Sequence, residues 1–384
     1  MHYLDHCGTT PLSKDVQQSM IEFIQSGVFG NPSAEHHEAG QQALHVLESC
    51  RRVIAKAVNS KPSEIMFTSG AAEANHLILW GFALRYHTQG CRVLFGTTEH
   101  KSIIETAQAL TEVNGVSVAE VPVGSDGTVD LEDLKRQLSS APHTPTLVCL
   151  MHINNEVPAR HPIEAISTLC KRHNAFFHCD GVQGFVRESI DFAQQTFGSY
   201  VISSHKIYGP KGCGVLVIGD NPLATRLAPA YRGGSQERGL RPGTVNTLAI
   251  VGAAKAIEEH SMQRIVRVQH MTRCANIFVE EMTQRSKDFR LTTPLVKNAP
   301  GIVSFYIDGI DAPTILAATP DLCINRGSSC IGAGGERFSH VPKALGLPIE
   351  VQANVLRASF GEIISQEDSR QAAVILAQRI LTLK

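Results

Sequence analysis

The chain has 384 residues, 43% of them hydrophobic and 18% charged, which is enough apolar material for a sizeable core and a second domain. Its formal net charge of −1 offers no broad basic face for nucleic acid and no acidic tail, and no apolar run reaches the length of a membrane span. The opening Met1-His2-Tyr3-Leu4-Asp5 lacks a charged stretch followed by an apolar one, so the cytoplasm is expected, and the ten cysteines include no C-x-x-C pair, which argues against zinc and against a disulfide framework.

In chain order, Gly70-Ala71-Ala72-Glu73-Ala74 opens a helix whose free N–H groups and dipole favour a phosphate. Residues 93–95 and 147–150 read as strands, with helical patterns at 102–110 and 131–138 between them. That alternation predicts a largely parallel sheet covered on both faces. Asn155, in an Asn-Asn pair after the second strand, reads by itself as a turn residue. The apolar run Ala175-Phe176-Phe177 leads through His178 and Cys179 to Asp180, at the carboxyl end of a parallel strand, where open α/β sheets bind ligands. An isolated Asp there is commonly a helix N-cap, but its carboxylate can also keep a pyridine nitrogen protonated.

Tyr200-Val201-Ile202 is the next strand. It runs into Ser203-Ser204-His205-Lys206, and a Gly209-Pro210-Lys211-Gly212 turn separates this from a further strand at 214–218. A lysine on such a strand-end turn can lose its proton by desolvation and capture the aldehyde of pyridoxal 5′-phosphate (PLP), while Ser203 and His205 offer donors for its phosphate. Taken alone, the stretch also reads as a surface loop with a solvated lysine. An Asp about 25 residues before that lysine, each on its own strand end, is hard to explain as capping.

Beyond the lysine, the loop Arg238-Gly239-Leu240-Arg241-Pro242-Gly243 is rich in turn formers and cations and suits presenting Thr244 to an anion. Long amphipathic segments follow from Thr247 to about Met282, then strand patterns at 302–306 and 356–360 and a helical pattern at 367–383, as in a smaller α+β domain. Cys330 lies in a polar, glycine-rich stretch, Arg326 to Gly335, whose glycines give a nucleophilic thiol backbone freedom. No GK[ST] follows it, so it is not expected to cradle phosphate, and Cys323, within Leu322-Cys323-Ile324, reads as structural. Arg357 presents a fork of donors suited to a carboxylate, although a structural ion pair would use it equally.

These residues stand among a longer series of motifs: Tyr3-Leu4-Asp5 with Thr9-Thr10-Pro11, Phe29-Gly30-Asn31-Pro32 with His37, Phe67-Thr68-Ser69-Gly70 with Glu73, Thr98-Glu99-His100-Lys101, Met151-His152-Ile153-Asn154-Asn155-Glu156, and Arg238-Gly239 with Gly243-Thr244. With them the chain resembles the cysteine desulfurases of the NifS/IscS type, class V aminotransferase-like PLP enzymes, from Tyr3 to at least Gly361. The resemblance implies PLP fold type I, an α/β large domain at 15–255 built on a mostly parallel seven-stranded sheet. A smaller α+β domain, residues 1–14 and 256–384, would carry the catalytic cysteine loop.

It implies Lys206 as the lysine bonded to PLP, Asp180 on the pyridine nitrogen, Gln183 on the ring hydroxyl and His100 stacked on the ring and moving protons. Ser203, His205, Ala71, Ala72 and Thr244 would hold the phosphate, Thr244 from the neighbouring subunit of a homodimer. Asn155, Asn31 and Arg357 would meet the L-cysteine substrate, Asn155 also the ring hydroxyl. Cys330 would take its sulfur as a persulfide for an acceptor protein serving iron-sulfur assembly, tRNA thiolation or DNA sulfur modification, with no direct contact to nucleic acid, membrane or metal. Relatives tend to have Thr at Ala72 and Asn at His76, so weaker PLP retention is expected. A selenocysteine lyase or another class V enzyme, and a weakly active homologue acting as a sulfur-transfer scaffold, are the competing readings.

Overall fold

The computed structural model describes residues 1–195, 197–219, 222–223, 226–293, 299–327 and 339–384. The strands, in chain order, are β1 His2–Tyr3, β2 Ile65–Thr68, β3 Cys91–Gly96, β4 Val116–Val121, β5 Thr146–Cys149, β6 Phe176–Cys179, β7 Ser199–Ser203, β8 Gly214–Ile218, β9 Phe289–Leu291, β10 Ile302–Ile307, β11 Leu322–Cys323 and β12 Leu356–Ser359.

Seven of them form one sheet in the order β2-β8-β7-β6-β5-β3-β4. Every pairing in it is parallel except the two made by β8, which runs against β2 and β7. Strands β5 to β8 are buried at every position, as continuous apolar runs are when helices cover both faces. The helix Ala71–Tyr86 is buried round most of its circumference and packs on one face with Lys101–Leu110, whereas Glu38–Ala57 and Ile163–Arg172 cover the other. Strand β4, at the sheet edge, is mostly half-buried or exposed and only Val121 is buried, and it is absent from the expected elements.

A second core gathers around the antiparallel sheet β12-β10-β9 and the helix Gln366–Thr382. The N-terminal segment joins it, since β1 pairs in parallel with β11 and Leu4 is buried in the same cluster. The amphipathic stretch after Thr247 is one 39-residue helix, Thr247–Arg285. Its first half, with Ala249, Ile250 and Ile257, packs into the core under the large sheet, and its second half, from Met271 to Met282, into the smaller core. At about 1.5 Å per residue it spans both.

Candidate active site

The large sheet brings the ends of β2, β3, β5, β6 and β7 to one edge, and the residues that follow them line a cavity of about 490 Å³. Strand β8 begins at that edge with Gly214, whose missing side chain matters: a Cβ there would lie 2.6 Å from both Gly70 C and Thr68 Oγ1. The close approach sets Gly212 and Cys213 beside Ser69, Gly70, Ala71 and Ala72, where the helix Ala71–Tyr86 starts at the cavity wall.

Lys206 ends a single 3-10 turn after β7, half-buried, with Nζ donating to Cys7 O and Gly8 O at 2.6 Å each. Asp180 follows β6 and is buried. Its Oδ1 accepts from Val182 N at 3.1 Å, at the start of the helix Val182–Arg187, and its Oδ2 accepts from Asn75 Nδ2 at 2.9 Å. The N-cap of that helix is Gly181, so Asp180 is not the cap itself: it precedes the cap, takes the first helical N–H and lines the cavity.

Asn75 is fully buried on the helix Ala71–Tyr86, and every polar position of its amide has a partner. Nδ2 also donates to Ser102 Oγ at 2.9 Å, and Oδ1 lies 2.9 Å from His178 Nε2. Burial pushes the His178 pKa down to about 3, so the ring is neutral. With Oδ1 as acceptor, His178 carries its proton on Nε2 and takes the Ser199 hydroxyl at Nδ1, 2.7 Å away. The array continues to the other side of the cavity. His100 Nδ1 accepts from Ser102 N at 3.2 Å and lies 2.8 Å from Ser102 Oγ, so in the neutral ring the proton sits on Nε2. Asn75 and Ser102, which the sequence reading passed over, therefore tie Asp180 and His100 into one hydrogen-bonded unit.

The remaining walls come from farther along the chain. Gln183 Nε2 donates to Cys7 O at 3.3 Å, and His205 Nδ1 lies 3.0 Å from Thr9 Oγ1. Burial, aided by the charges of Lys206 and Lys211, pushes the His205 pKa down to about 4. Arg357 on β12 is 1% exposed, its Nη1 donating to Asn155 O at 2.6 Å and its Nη2 pairing with Asp5 Oδ1 at 2.5 Å. Its Nε is buried and has no hydrogen-bond partner among the described residues. Two of its donors are therefore already held by the protein, and the structural ion pair is the sequence reading that the geometry shows.

Asn31 and Thr244 are not walls of this cavity. Together they line a separate one of about 280 Å³ with Arg51 and Glu237, and Thr244 also borders a third of about 200 Å³ behind Ser69 and Gly212. Asn31 and Thr244 therefore border other cavities than the one that their own chain builds around Lys206. Cys330 lies outside the described residues. Residues on either side of its segment meet Glu156: Ser339 Oγ donates to Glu156 Oε2 at 2.5 Å, and a Cβ on Gly327 would lie 2.6 Å from the same oxygen.

Residues 2–371 match the family model for aminotransferase class V. The chain belongs to the class V aminotransferase family. It is 33% identical over 384 residues to the cysteine desulfurase IscS of Dictyoglomus turgidum, covering all of this chain and 95% of that one, and 31% identical over 382 residues to the cysteine desulfurase IscS of Rickettsia prowazekii, covering 92% of that protein. Among solved structures it is similar to a NifS-like protein (TM-score 0.90, 28% identity, full coverage of both chains) and to SspA in complex with cysteine (TM-score 0.79, 29% identity, 94% of this chain and 99% of that one). Members of this family are PLP enzymes, and the α/β fold is theirs, as the motifs implied.

The class V cavity here fits that cofactor by its own chemistry. The cavity is lined by a buried carboxylate that would suit a pyridinium, a half-buried lysine amine that would suit an aldehyde, and a helix N-terminus, Ser203 and His205 that would suit a phosphate. Arg357 also lines the cavity, and its guanidinium adds a positive charge there.

Proposed function

We infer that this chain is a PLP-dependent cysteine desulfurase, converting L-cysteine to L-alanine and transferring the sulfur. The observation that carries the reading is the joint placement of Lys206, Asp180 and His100 around one cavity, in a chain similar along its whole length to proteins named cysteine desulfurases.

When bound, PLP supplies an electron sink for the charge left as the α proton of cysteine departs. The chain's own residues do the rest. Asp180, fixed by Asn75 and Val182, keeps its carboxylate directed at a ring nitrogen and holds a proton there. The Lys206 amine, at the cavity wall beside the Cys7 and Gly8 carbonyls, takes the α proton at Nζ. Arg357, which lines the cavity, orients the substrate carboxylate, and Asn155, whose carbonyl bonds the same guanidinium, keeps that arginine in place. His100 delivers a proton from Nε2, the nitrogen that Ser102 leaves free of its cap.

Cys330 is the acceptor we propose for the sulfur. Its thiolate attacks the sulfur of cysteine, a sulfur–sulfur bond forms as the carbon–sulfur bond breaks, and the electron pair and a proton return to carbon. One cysteine and one thiol give one alanine and one persulfide. Glu156, next to Asn155, supports this assignment, since it meets the Ser339 hydroxyl on one side of the Cys330 segment and lies close to Gly327 on the other.

We further propose a two-fold homodimer in which Thr244 and Asn31 reach the neighbouring subunit's cavity, supported by their position together outside their own. Its place is the cytoplasm, where an acceptor protein takes the persulfide sulfur. Among the described residues no helix is long and apolar enough to cross a membrane. The test is a visible spectrum of the purified protein before and after L-cysteine, followed by alanine quantitation and borohydride mapping. A cofactor attached at any lysine but Lys206, or spectral change without alanine, overturns the reading.

A further inference from the structure

Arg187 closes the short helix after Asp180 and is 6% exposed. Its Nε donates to Pro300 O at 2.7 Å, its Nη1 to Gln183 Oε1 at 2.7 Å and to Gln183 O at 3.2 Å, and its Nη2 to Cys7 Sγ at 3.4 Å. All these acceptors are neutral. Among the described residues no carboxylate forms an ion pair with it, and an interior cation satisfied only by neutral groups still lacks a counter-charge.

The direction of the Gln183 amide follows. A guanidinium has donors and no acceptor, so the amide atom facing it is the oxygen, which also takes the Cys7 thiol at 3.5 Å. That leaves Nε2 with one hydrogen on Cys7 O and one for the cavity that Gln183 lines. Gln183 meets a ligand as a donor, with a positive charge directly behind it, and such a pair favours an anionic oxygen.

We propose that Arg187 is a positioning residue for the cofactor: it locks Gln183 as a hydrogen-bond donor and, as the buried cation behind it, holds the PLP ring oxygen in its deprotonated form. The inference rests on the PLP assignment made above. Beside Arg187 stand His6 and Tyr208. Burial pushes the His6 pKa down to about 4 and raises that of Tyr208, so both are neutral near pH 7. On the cavity side the charged or titratable groups are Cys7, His100, Asp180, His205, Lys206, Lys211, Cys213 and Arg357, and these are common to every variant compared below.

The experiment is an absorbance titration of the bound cofactor from mildly acidic to alkaline pH in the holoenzyme and in Arg187→Gln and Arg187→Lys. Borohydride labelling of each confirms attachment at Lys206. Loss of the cation should raise the midpoint of the cofactor's ionisation by roughly one unit and hasten PLP release, whereas Arg187→Lys, which keeps the charge, should titrate close to the parent. An Arg187→Gln protein labelled at Lys206 with an unchanged midpoint overturns the proposal, as does an Arg187→Lys protein that shifts as far as Arg187→Gln. Absence of label at Lys206 in the parent enzyme instead overturns the cofactor assignment. Should Arg187→Gln not fold, near-isosteric Gln183→Glu decides: its carboxylate pairs with Arg187 and presents an acceptor to the ring, so the midpoint must rise. An unchanged or lower midpoint refutes the amide direction.

Discussion

Replacing Asn75 by Leu keeps the volume of a fully buried side chain and removes three hydrogen bonds at once: to Asp180 Oδ2, to Ser102 Oγ and to His178 Nε2, each 2.9 Å long. The bond to the ionised carboxylate is worth about 1.5–3 kcal/mol, and stranding the buried His178 N–H costs about 1–3 kcal/mol more. Added methyl surface recovers on the order of 1 kcal/mol. The net loss is roughly 2–5 kcal/mol, divided between fold stability and cofactor retention. Denaturant unfolding of the PLP-free protein reads the first part, and PLP release on dialysis the second, which should quicken by about tenfold or more because Asp180 keeps only the Val182 N–H. Asn75→Ala should be worse on stability, since it adds a cavity, and alike on release. If Asn75→Leu unfolds at the parent's denaturant concentration and releases PLP at the parent's rate, the array is not what holds Asp180.

The other predictions concern single groups. Cys330→Ser should bind PLP and respond spectrally to L-cysteine yet release almost no alanine and carry no persulfide by mass spectrometry; the same phenotype from Cys323→Ser alone would move the nucleophile. Ala72→Thr restores a hydroxyl at the helix N-terminus in the cavity and should slow PLP loss to an extent matching one charged hydrogen bond, about 1.5–3 kcal/mol; unchanged loss refutes the phosphate placement. Burial raises the Glu99 pKa well above the usual carboxylate range, so the fold holds a proton there that the unfolded chain gives up above about pH 4.5, and stability is lost as pH rises. Glu99→Gln, keeping an oxygen for Met151 N, should therefore stabilise the protein increasingly from weakly acid to neutral pH in urea melts, and a pH-independent effect contradicts the sign. The buried histidines His161, His178 and His260, with pKa values pushed down to about 4, 3 and 3, act oppositely: their contribution is complete above about pH 6.5 and falls as pH drops towards 4, so melts of Glu99→Gln below neutrality should weaken steadily.

The parts of the site legible in the sequence are those that a strand carries to its own end. Asp180 and Lys206 each follow a fully buried apolar run, and in a parallel sheet such runs finish at one edge, so their meeting was implied by local pattern plus topology. The helix N-terminus at Ala71 was legible for the same reason. Asn75 was not, because it stands in the second turn of its helix with nothing local to mark it and its partners Asp180 and His178 lie 105 and 103 residues away. Arg187 was equally hidden: a cation at a helix end is normally solvated, and only the tertiary fold shows that Cys7 and Pro300 close over it. The single long helix was read as segments since its apolar face changes sides between the two cores, which blurs one periodicity into two.

The N-terminal segment gives the clearest case of chemistry assembled from distance. Asp5 pairs with Arg357, the Cys7 and Gly8 carbonyls hold Lys206, the Cys7 thiol meets Gln183, and Thr9 bonds His205. Four groups of the site thus depend on four positions between Asp5 and Thr9 whose partners lie 176 to 352 residues on. Those positions are held by the smaller core, through β1 beside β11, the Asp5 bridge to Ser359 and buried Leu4, whereas Lys206, Gln183 and His205 belong to the large sheet. The arm is therefore the place where the two cores are keyed together at the site. It follows that Leu4→Ala, which touches nothing in the cavity, should cost about 2–5 kcal/mol of stability and also loosen PLP by misplacing the Cys7 and Gly8 carbonyls. Unfolding melts and PLP release measured on the same preparation check both halves, and a variant that loses stability while holding PLP as tightly as the parent would show that the arm is structural alone.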